Sequence, residues 1–305
     1  MKQKIISVPS VLVIGNVGVD AYPDLGTRYL GGSSFNLAWN LHHLKDVKVD
    51  FLSRIGRDEP GNWILQELKK AGFPVSSIYQ DDLYSTSIVN VHLNSEGIPA
   101  YQITEEVAAD HLTISDLKQL SDQNYHLLTF GTKLLRKEES RKTVLHALEQ
   151  FKNVPLFWDL NFRKDYLKNV VLDDLLASTS YLKLNKDELV SLSDIFKLQG
   201  DIIRRVRQLA QIFPLKMIVL TQGDKESILW TSEGLVTCPV SAVDIVDTVG
   251  AGDAFSAMMI KGILAGWGNE KILKLSTQFA GAICGIKGAI ARESAFYEKY
   301  SFTKK

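Results

Sequence analysis

Cysteine is close to absent. Cys238 and Cys284 are the two that the sequence contains, far apart and in no metal-ligand spacing. Two isolated thiols cannot build a disulfide framework or a structural zinc site, and they read as reduced thiols of a cytoplasmic protein. An excess of either charge is also missing, since 35 Lys and Arg balance 35 Asp and Glu. That balance removes the electrostatic case for a nucleic acid or an acidic membrane as partner. No apolar run approaches the ~20 residues of a membrane-spanning helix, and the polar start, Met1 to Ser10, lacks the form of a signal peptide. Proline is scarce, and no Gly-, Ser- or Pro-rich linker, low-complexity tract or internal repeat divides the chain. The expectation is one large domain over residues 1–305. The histidines show no ligand spacing either. His42 and His43 are neighbours, leave a helix in different directions and read as structural or solvated.

What the sequence does have is a glycine-bearing turn feeding a helix. Asp247-Thr-Val-Gly-Ala-Gly-Asp253 precedes a run of good helix formers without proline. The first N–H groups of a helix lack intrahelical partners, and the dipole adds partial positive charge there. Gly250 and Gly252 would let that backbone approach an anion closely. Asp253 stands at the mouth of this site. A carboxylate there can be a simple N-cap. It can also be a general base beside a phosphate cradle, taking a proton from a hydroxyl as a phosphoryl group is transferred.

The rest of the chain alternates short apolar strands with amphipathic helices. Strands are expected at Val11–Val17, His126–Phe130, Val154–Arg163, Tyr181–Asn185 and Met217–Thr221, with helices at Asn62–Ala71 and Glu138–Phe151, while Leu273–Ile286 is largely small and apolar. Such βα repetition predicts a parallel sheet covered by helices on both faces. Ser85–Thr104 breaks the pattern: two strand-like runs joined through Asn94–Gly97 predict a hairpin. Gly31-Gly32 ends an extended segment, and Ser33 or Ser34 can cap the helix that follows. Asn36 falls in its first turn, where an amide suits neutral hydroxyls. Asp20, beside Pro23-Asp24, can be a turn residue or a ligand for hydroxyls. Asn185-x-x-Glu188 is a capping-type pattern. Tyr300–Lys305 reads as a frayed tail.

Asp-Thr-x-Gly-Ala-Gly-Asp-x-Phe resembles the C-terminal signature of the ribokinase-like (PfkB) carbohydrate kinases. Gly-Gly-x-x-x-Asn-x-Ala, from Gly31, resembles their N-terminal signature, and Gly56-Arg-Asp58-Glu-Pro-Gly61 is similar to their Gly-x-Asp-x-x-Gly segment. Asp58 reads as capping and positioning. The resemblance spans Val11 to Ala289, and the stretches Thr86–Asp110 and Leu128–Arg136 are most similar to the fructokinase-like branch. It implies a ribokinase-like three-layer α/β/α parallel sheet with a small β lid from segments near 16–30 and 84–110. It implies that Asp253 is the catalytic base and that Gly250, Ala251 and Gly252 form the anion hole. Asp20, Gly32, Asn36 and Arg163 would bind the sugar. Asn185, Glu188, Thr221 and Gly223 would serve the nucleotide and Mg²⁺. Glu226 stands where the second glycine of the family's Thr-x-Gly-x-x-Gly turn is expected, which puts that phosphate contact in doubt.

The implied activity is ATP- and Mg²⁺-dependent phosphorylation of a sugar hydroxyl, with fructose or a related ketohexose as acceptor. Relatives often hold a monovalent cation, K⁺, around Asp247 and the closing Lys287-Gly288-Ala289 loop. A kinase of 2-keto-3-deoxygluconate, ribose or a nucleoside is one alternative; a non-catalytic sugar-binding regulator is another. An open lid edge is best covered by a second copy, so a homodimer is expected.

Overall fold

The computed structural model describes residues 8–93, 99–163, 169–240 and 242–300. The chain opens with β1 (Ser10–Ile14), then β2 (Gly18–Tyr22), β3 (Thr27–Gly31) and helix α1 (Ser33–His43). Next come β4 (Lys48–Gly56), α2 (Glu59–Lys70), β5 (Ile78–Asp81), β6 (Ser87–Leu93) and β7 (Pro99–Ile103). The middle is β8 (Leu127–Phe130), α3 (Glu138–Gln150), β9 (Leu156–Asp159), α4 (Asn169–Ser178), β10 (Tyr181–Asn185), α5 (Lys186–Phe196) and α6 (Ile202–Ile212). The chain then runs through β11 (Met217–Thr221), β12 (Glu226–Thr231), β13 (Gly234–Pro239), α7 (Ala251–Leu264), α8 (Asn269–Cys284) and the short α9 (Ser294–Glu298). None of the described helices is long and apolar enough to cross a membrane.

Nine strands form one sheet in the order β13-β12-β11-β10-β9-β8-β1-β4-β5. From β11 to β5 the neighbours are parallel. The expected all-parallel sheet is therefore extended by an antiparallel edge, β11 to β12 to β13, because tight turns rather than helices follow β11 and β12. The central strands bury both faces, and their period of two sorts alternate residues into two cores. Val11, Val13, Met217 and Val219 face the core that holds α1, α7 and α8. Leu12, Ile14, Ile218 and Leu220 face the other, with residues of α3 to α6. Each large apolar side chain so buried stabilises the fold by about 1.5–3 kcal/mol.

Sequence boundaries shift in places. The predicted strand over 154–163 is confined to β9, and Asn161 beyond it has φ +39. Helix α2 begins at Glu59 rather than Asn62, because Asp58 accepts from Gly61 N and Pro60 fits a first turn that needs no N–H. Tyr300 is no frayed residue: its ring packs edge-on to Phe279 at 4.9 Å. His42 and His43 join an aromatic cluster, with His43 stacked on Trp39 at 4.3 Å and His42 against Phe73 at 5.3 Å. Burial drives both imidazoles below their usual range, His42 to about 4.

A second sheet, β3-β2-β6-β7, stands apart from the first. It is built from the two segments expected to form a lid, with β6 and β7 antiparallel as the hairpin pattern predicts. The predicted turn at Asn94–Gly97 lies outside the described residues. Asp58 ties this sheet to the main body. Its Oδ1 accepts from Gly61 N at 2.8 Å and Thr86 Oγ1 at 2.6 Å, and its Oδ2 accepts from Thr86 N at 2.8 Å. Asp58→Ala is expected to cost about 1 kcal/mol for the lost cap and about 1–3 kcal/mol for the stranded Thr86 donors. Glu59, whose exposed carboxylate pairs with Arg28, should lose little as Glu59→Ala. Urea unfolding of both variants checks this; equal losses would remove Asp58 from the role.

Candidate active site

The C-terminal ends of β1, β8 and β9 meet the N-terminus of α1 beneath the small sheet. Open parallel sheets bind ligands at such ends. A cavity of about 230 Å³ lies there, lined among others by Asn16, Asp20, Gly32, Ser87, Lys133 and Arg163. Glycine is required at its wall. A Cβ on Gly31 would collide with the Asp20 carboxyl group, and Gly32 caps α1 at φ +111, a conformation that side chains disfavour. Gly15 and Gly131 close on Ser34 in the same way, which draws α1 down onto β1 and β8.

The start of α7 stands next to the cavity, joined to it through Ser33, which lines the cavity and bonds Asp253. Gly250 caps this helix in the left-handed region at φ +79, with Ala289 packed where its side chain would be. Ala251 and Gly252 follow; Ala251 N donates to Thr248 O at 3.3 Å, and this end of the helix carries the positive pole of the dipole. Asp253 sits in this first turn. Its Oδ1 accepts from Ser33 Oγ at 2.6 Å and its Oδ2 from Asn36 Nδ2 at 2.8 Å. Asn161 Nδ2 in turn reaches Ser33 Oγ at 3.3 Å. Burial raises the Asp253 carboxyl to about 6, although both hydrogen bonds and Lys183 pull the other way. A carboxylate with its proton affinity raised near neutrality, and held by two side chains of α1, is suited to accept a proton.

Behind the cradle lies a buried ion pair. Lys183 Nζ donates to Asp159 Oδ1 at 3.0 Å and Oδ2 at 2.8 Å, and Ser256 Oγ donates to Asp159 Oδ2 at 2.7 Å. Burial alone would lower the lysine, but the Asp159 charge and hydrogen bonds prevail and raise it. A Cβ on Gly252 would lie 3.0 Å from this ammonium, so the glycine brings the helix turn against the cation.

The sequence-derived site residues fall into three groups. Asp20, Gly32 and Arg163 line the cavity, while Asn36 is buried behind it against Asp253. Gly250, Ala251, Gly252 and Asp253 form the helix start. Asn185 and Glu188 make a reciprocal capping box on α5: Asn185 Oδ1 accepts from Glu188 N at 2.9 Å, and Glu188 Oε2 accepts from Asn185 N at 2.7 Å. Glu188 Oε1 also accepts from Phe162 N at 2.8 Å, and burial raises this carboxyl group. Thr221 ends β11 and Gly223 turns the chain at φ +65, with open space on its side-chain face. Asp247 spans the closing loop, accepting from Val249 N and Gly288 N, each at 3.0 Å.

Four further polar residues escaped sequence reasoning. Ser33 caps nothing; Gly32 takes the cap position and Ser33 turns to Asp253. Lys183 carried a signal, being a charge inside an apolar strand that needs a partner. That partner, Asp159, lies directly across from it in the β9–β10 register. Ser256 and Lys133 gave none.

The fructokinase of Klebsiella pneumoniae is 29% identical over 296 residues, covering 92% of this chain and 94% of that protein. A fructokinase from Xylella fastidiosa, solved with bound ATP, has the same fold, with a TM-score of 0.82 at 16% identity over 95% of this chain and 97% of that one. A fructokinase double mutant from Vibrio cholerae O395, solved with fructose, ADP and potassium ion, has a TM-score of 0.79 at 21% identity over 95% and 98% of the two chains. The family profile described as pfkB family carbohydrate kinase matches residues 14–295, which take in both glycine turns, the Asp20 cavity and Asp253. By that match the chain belongs to the PfkB family and is a carbohydrate kinase.

Proposed function

We propose that the protein transfers the γ-phosphoryl group of ATP to a terminal primary hydroxyl of a neutral ketohexose, with D-fructose as the leading candidate. The observation that carries this reading is the position of Asp253. It stands in the first turn of a helix whose N-terminus suits an anion, and it bonds Ser33, which lines the cavity that also holds the Asp20 carboxylate. Asp20 suits an uncharged hydroxyl, and two carboxylates near the acceptor disfavour a sugar acid. The similarity to fructokinases supports the choice.

In this reading Asp253 accepts the proton of the attacking hydroxyl while Ser33 and Asn36 keep its two oxygens aimed. The hydroxyl oxygen forms the new bond to phosphorus as the bond to the leaving ADP oxygen breaks. Gly250, Ala251 and Gly252 offer backbone donors to the transferring group, and Lys183 adds a cation behind them. Asp20, Gly32 and Arg163 orient the sugar, and Thr221 and Gly223 border the nucleotide. Among the described residues no three His, Cys, Asp or Glu side chains assemble a metal cage. Asn185 and Glu188 are the residues that would support Mg²⁺, through water, and when bound the ion would neutralise polyphosphate charge. Asp247, which already ties Gly288 to the α7 turn, would steady a K⁺ site formed by backbone oxygens. A cytoplasmic location accords with an ATP-dependent reaction.

Release of ADP from ATP and Mg²⁺ over a panel of fructose, tagatose, ribose, 2-keto-3-deoxygluconate and adenosine tests the reading. Fructose is expected to give the highest kcat/KM. A higher value for adenosine or the sugar acid would overturn the acceptor, and a thermal shift without ADP release would favour a sugar-binding regulator. The small sheet is the proposed lid, since kinases must exclude water from the transferring group. Hydrogen exchange in β6 and β7 should slow when sugar binds. Protection that is unchanged by sugar but rises with protein concentration would instead assign these strands to a dimer contact.

A further inference from the structure

The cavity holds a cation to which the reaction above gives no task. Lys133 lies in the single turn Thr132–Leu135 that follows β8, with Leu134 and Leu135 buried beneath it. Its Nζ has one hydrogen-bond acceptor among the described residues, Ser87 Oγ at 3.2 Å on the first residue of β6. An ammonium carries three donors, so two are unspent. Asp20, on β2, lines the same cavity, and among the described residues nothing donates a hydrogen bond to its carboxylate. Gly31 leaves room for that carboxylate and no more.

Lys133 and Asp20 feel each other's charge, yet no ion pair joins them among the described residues. Burial pushes Asp20 up to about 6 against the pull of Lys133. Burial and the Arg136 charge bring Lys133 down to about 8. Two opposite charges, each partly desolvated and each short of partners, are costly to hold apart. Their elements keep them so. Asp20 belongs to the small sheet and Lys133 to the main body.

The group that satisfies both at once is a hydroxyl, which donates to a carboxylate and accepts from an ammonium. A carboxylate cannot donate to Asp20, and a methylene satisfies neither side. We propose that Lys133 is a specificity-determining residue that, with Asp20, forms a split donor–acceptor pair selecting acceptors with a hydroxyl at that position. The acceptor class is then a polyhydroxy sugar, uncharged at that end, and deoxy sugars lacking that one hydroxyl are rejected. This rests on the kinase reading for its readout, and on the Lys133–Asp20 geometry for its content.

The test is a cycle between one side chain and one substrate hydroxyl. Wild type and Lys133→Met are assayed with the best acceptor of the panel and with its singly deoxygenated analogues. For one analogue, wild-type kcat/KM is expected to fall by about 10²-fold or more, the scale seen where a site is built to bond a hydroxyl. Lys133→Met is expected to show a fall of about 10–10²-fold on the parent sugar, carried mainly by KM, and less than about 3-fold further loss on that analogue. Losses that multiply for every analogue, or a fall confined to kcat, would overturn the proposal. If Lys133→Met melts far below wild type, Lys133→Gln is used, with the same expectations. If wild type releases no ADP with any sugar, the kinase reading fails separately. The same cycle on calorimetric Kd then decides the role of Lys133, and equal affinities of wild type and variant would overturn it.

Discussion

Asp253→Asn is expected to lower turnover by about 10²–10⁴-fold, the usual contribution of a positioned base, while sugar affinity is retained. The amide keeps the shape of the side chain and its place at the start of α7. It cannot take the proton that the attacking hydroxyl must lose. The wild-type pH profile follows from the same group. In the proposed role Asp253 works deprotonated, so activity is expected above a pKa of about 6 and is expected to be lost as pH falls through that value. Asp20, also raised to about 6, titrates in the same window and steepens the fall. Steady-state kinetics between pH 5 and 9 check both points. A folded Asp253→Asn protein that turns over near the parent rate would remove Asp253 as the base.

Lys183→Met is expected to damage both stability and turnover. The substitution leaves Asp159 buried with Ser256 as its remaining side-chain donor. Breaking a buried pair from one side costs about 3–5 kcal/mol, because the surviving charge has no counterpart. Turnover should fall as well, since Gly252 places the turn proposed to bind the phosphoryl group against this ammonium. Loss of one preorganised electrostatic group at a transferring centre is worth about 10²–10³-fold. The double variant Lys183→Met, Asp159→Asn removes both charges. It should recover much of the stability while turnover stays low, which separates the structural share of the pair from the catalytic share. Urea unfolding and kcat for the three variants decide. If the double variant is no more stable than the single, the stranded carboxylate is not the cause.

The strands and helices were legible because periodicity reports burial directly. Val11 to Ile14 read as a strand buried on both faces, and its alternate residues do enter different cores. The helix start at Gly250 was legible because glycine there answers a local backbone need, seen as φ +79. The antiparallel edge was not, since β13 is half-exposed with a weak apolar pattern, and strand direction is set by the turns after β11 and β12. Within the site, residues tied to the backbone conformation were found, and those acting across the fold were missed. Ser33 looked like a cap because its neighbours in sequence allow one. Its real partner lies on α7, which only the packing of α1 against that helix reveals. Lys183 and Asp159 needed the β9–β10 register to be seen as a pair. Lys133 sits on a turn whose place at the cavity follows from how β8 ends beneath the small sheet, and no local pattern encodes that.

Phosphorus NMR of a single reaction mixture tests the central claim most directly. Enzyme, ATP, Mg²⁺ and fructose are incubated, and the products are followed together. The expected result is ADP formed in step with a sugar phosphate bearing its phosphate on a primary hydroxyl, with little inorganic phosphate and no sugar phosphate above trace from Asp253→Asn. Inorganic phosphate in place of sugar phosphate, or equal sugar phosphate from the variant, would contradict proton removal by Asp253 in a site closed to water.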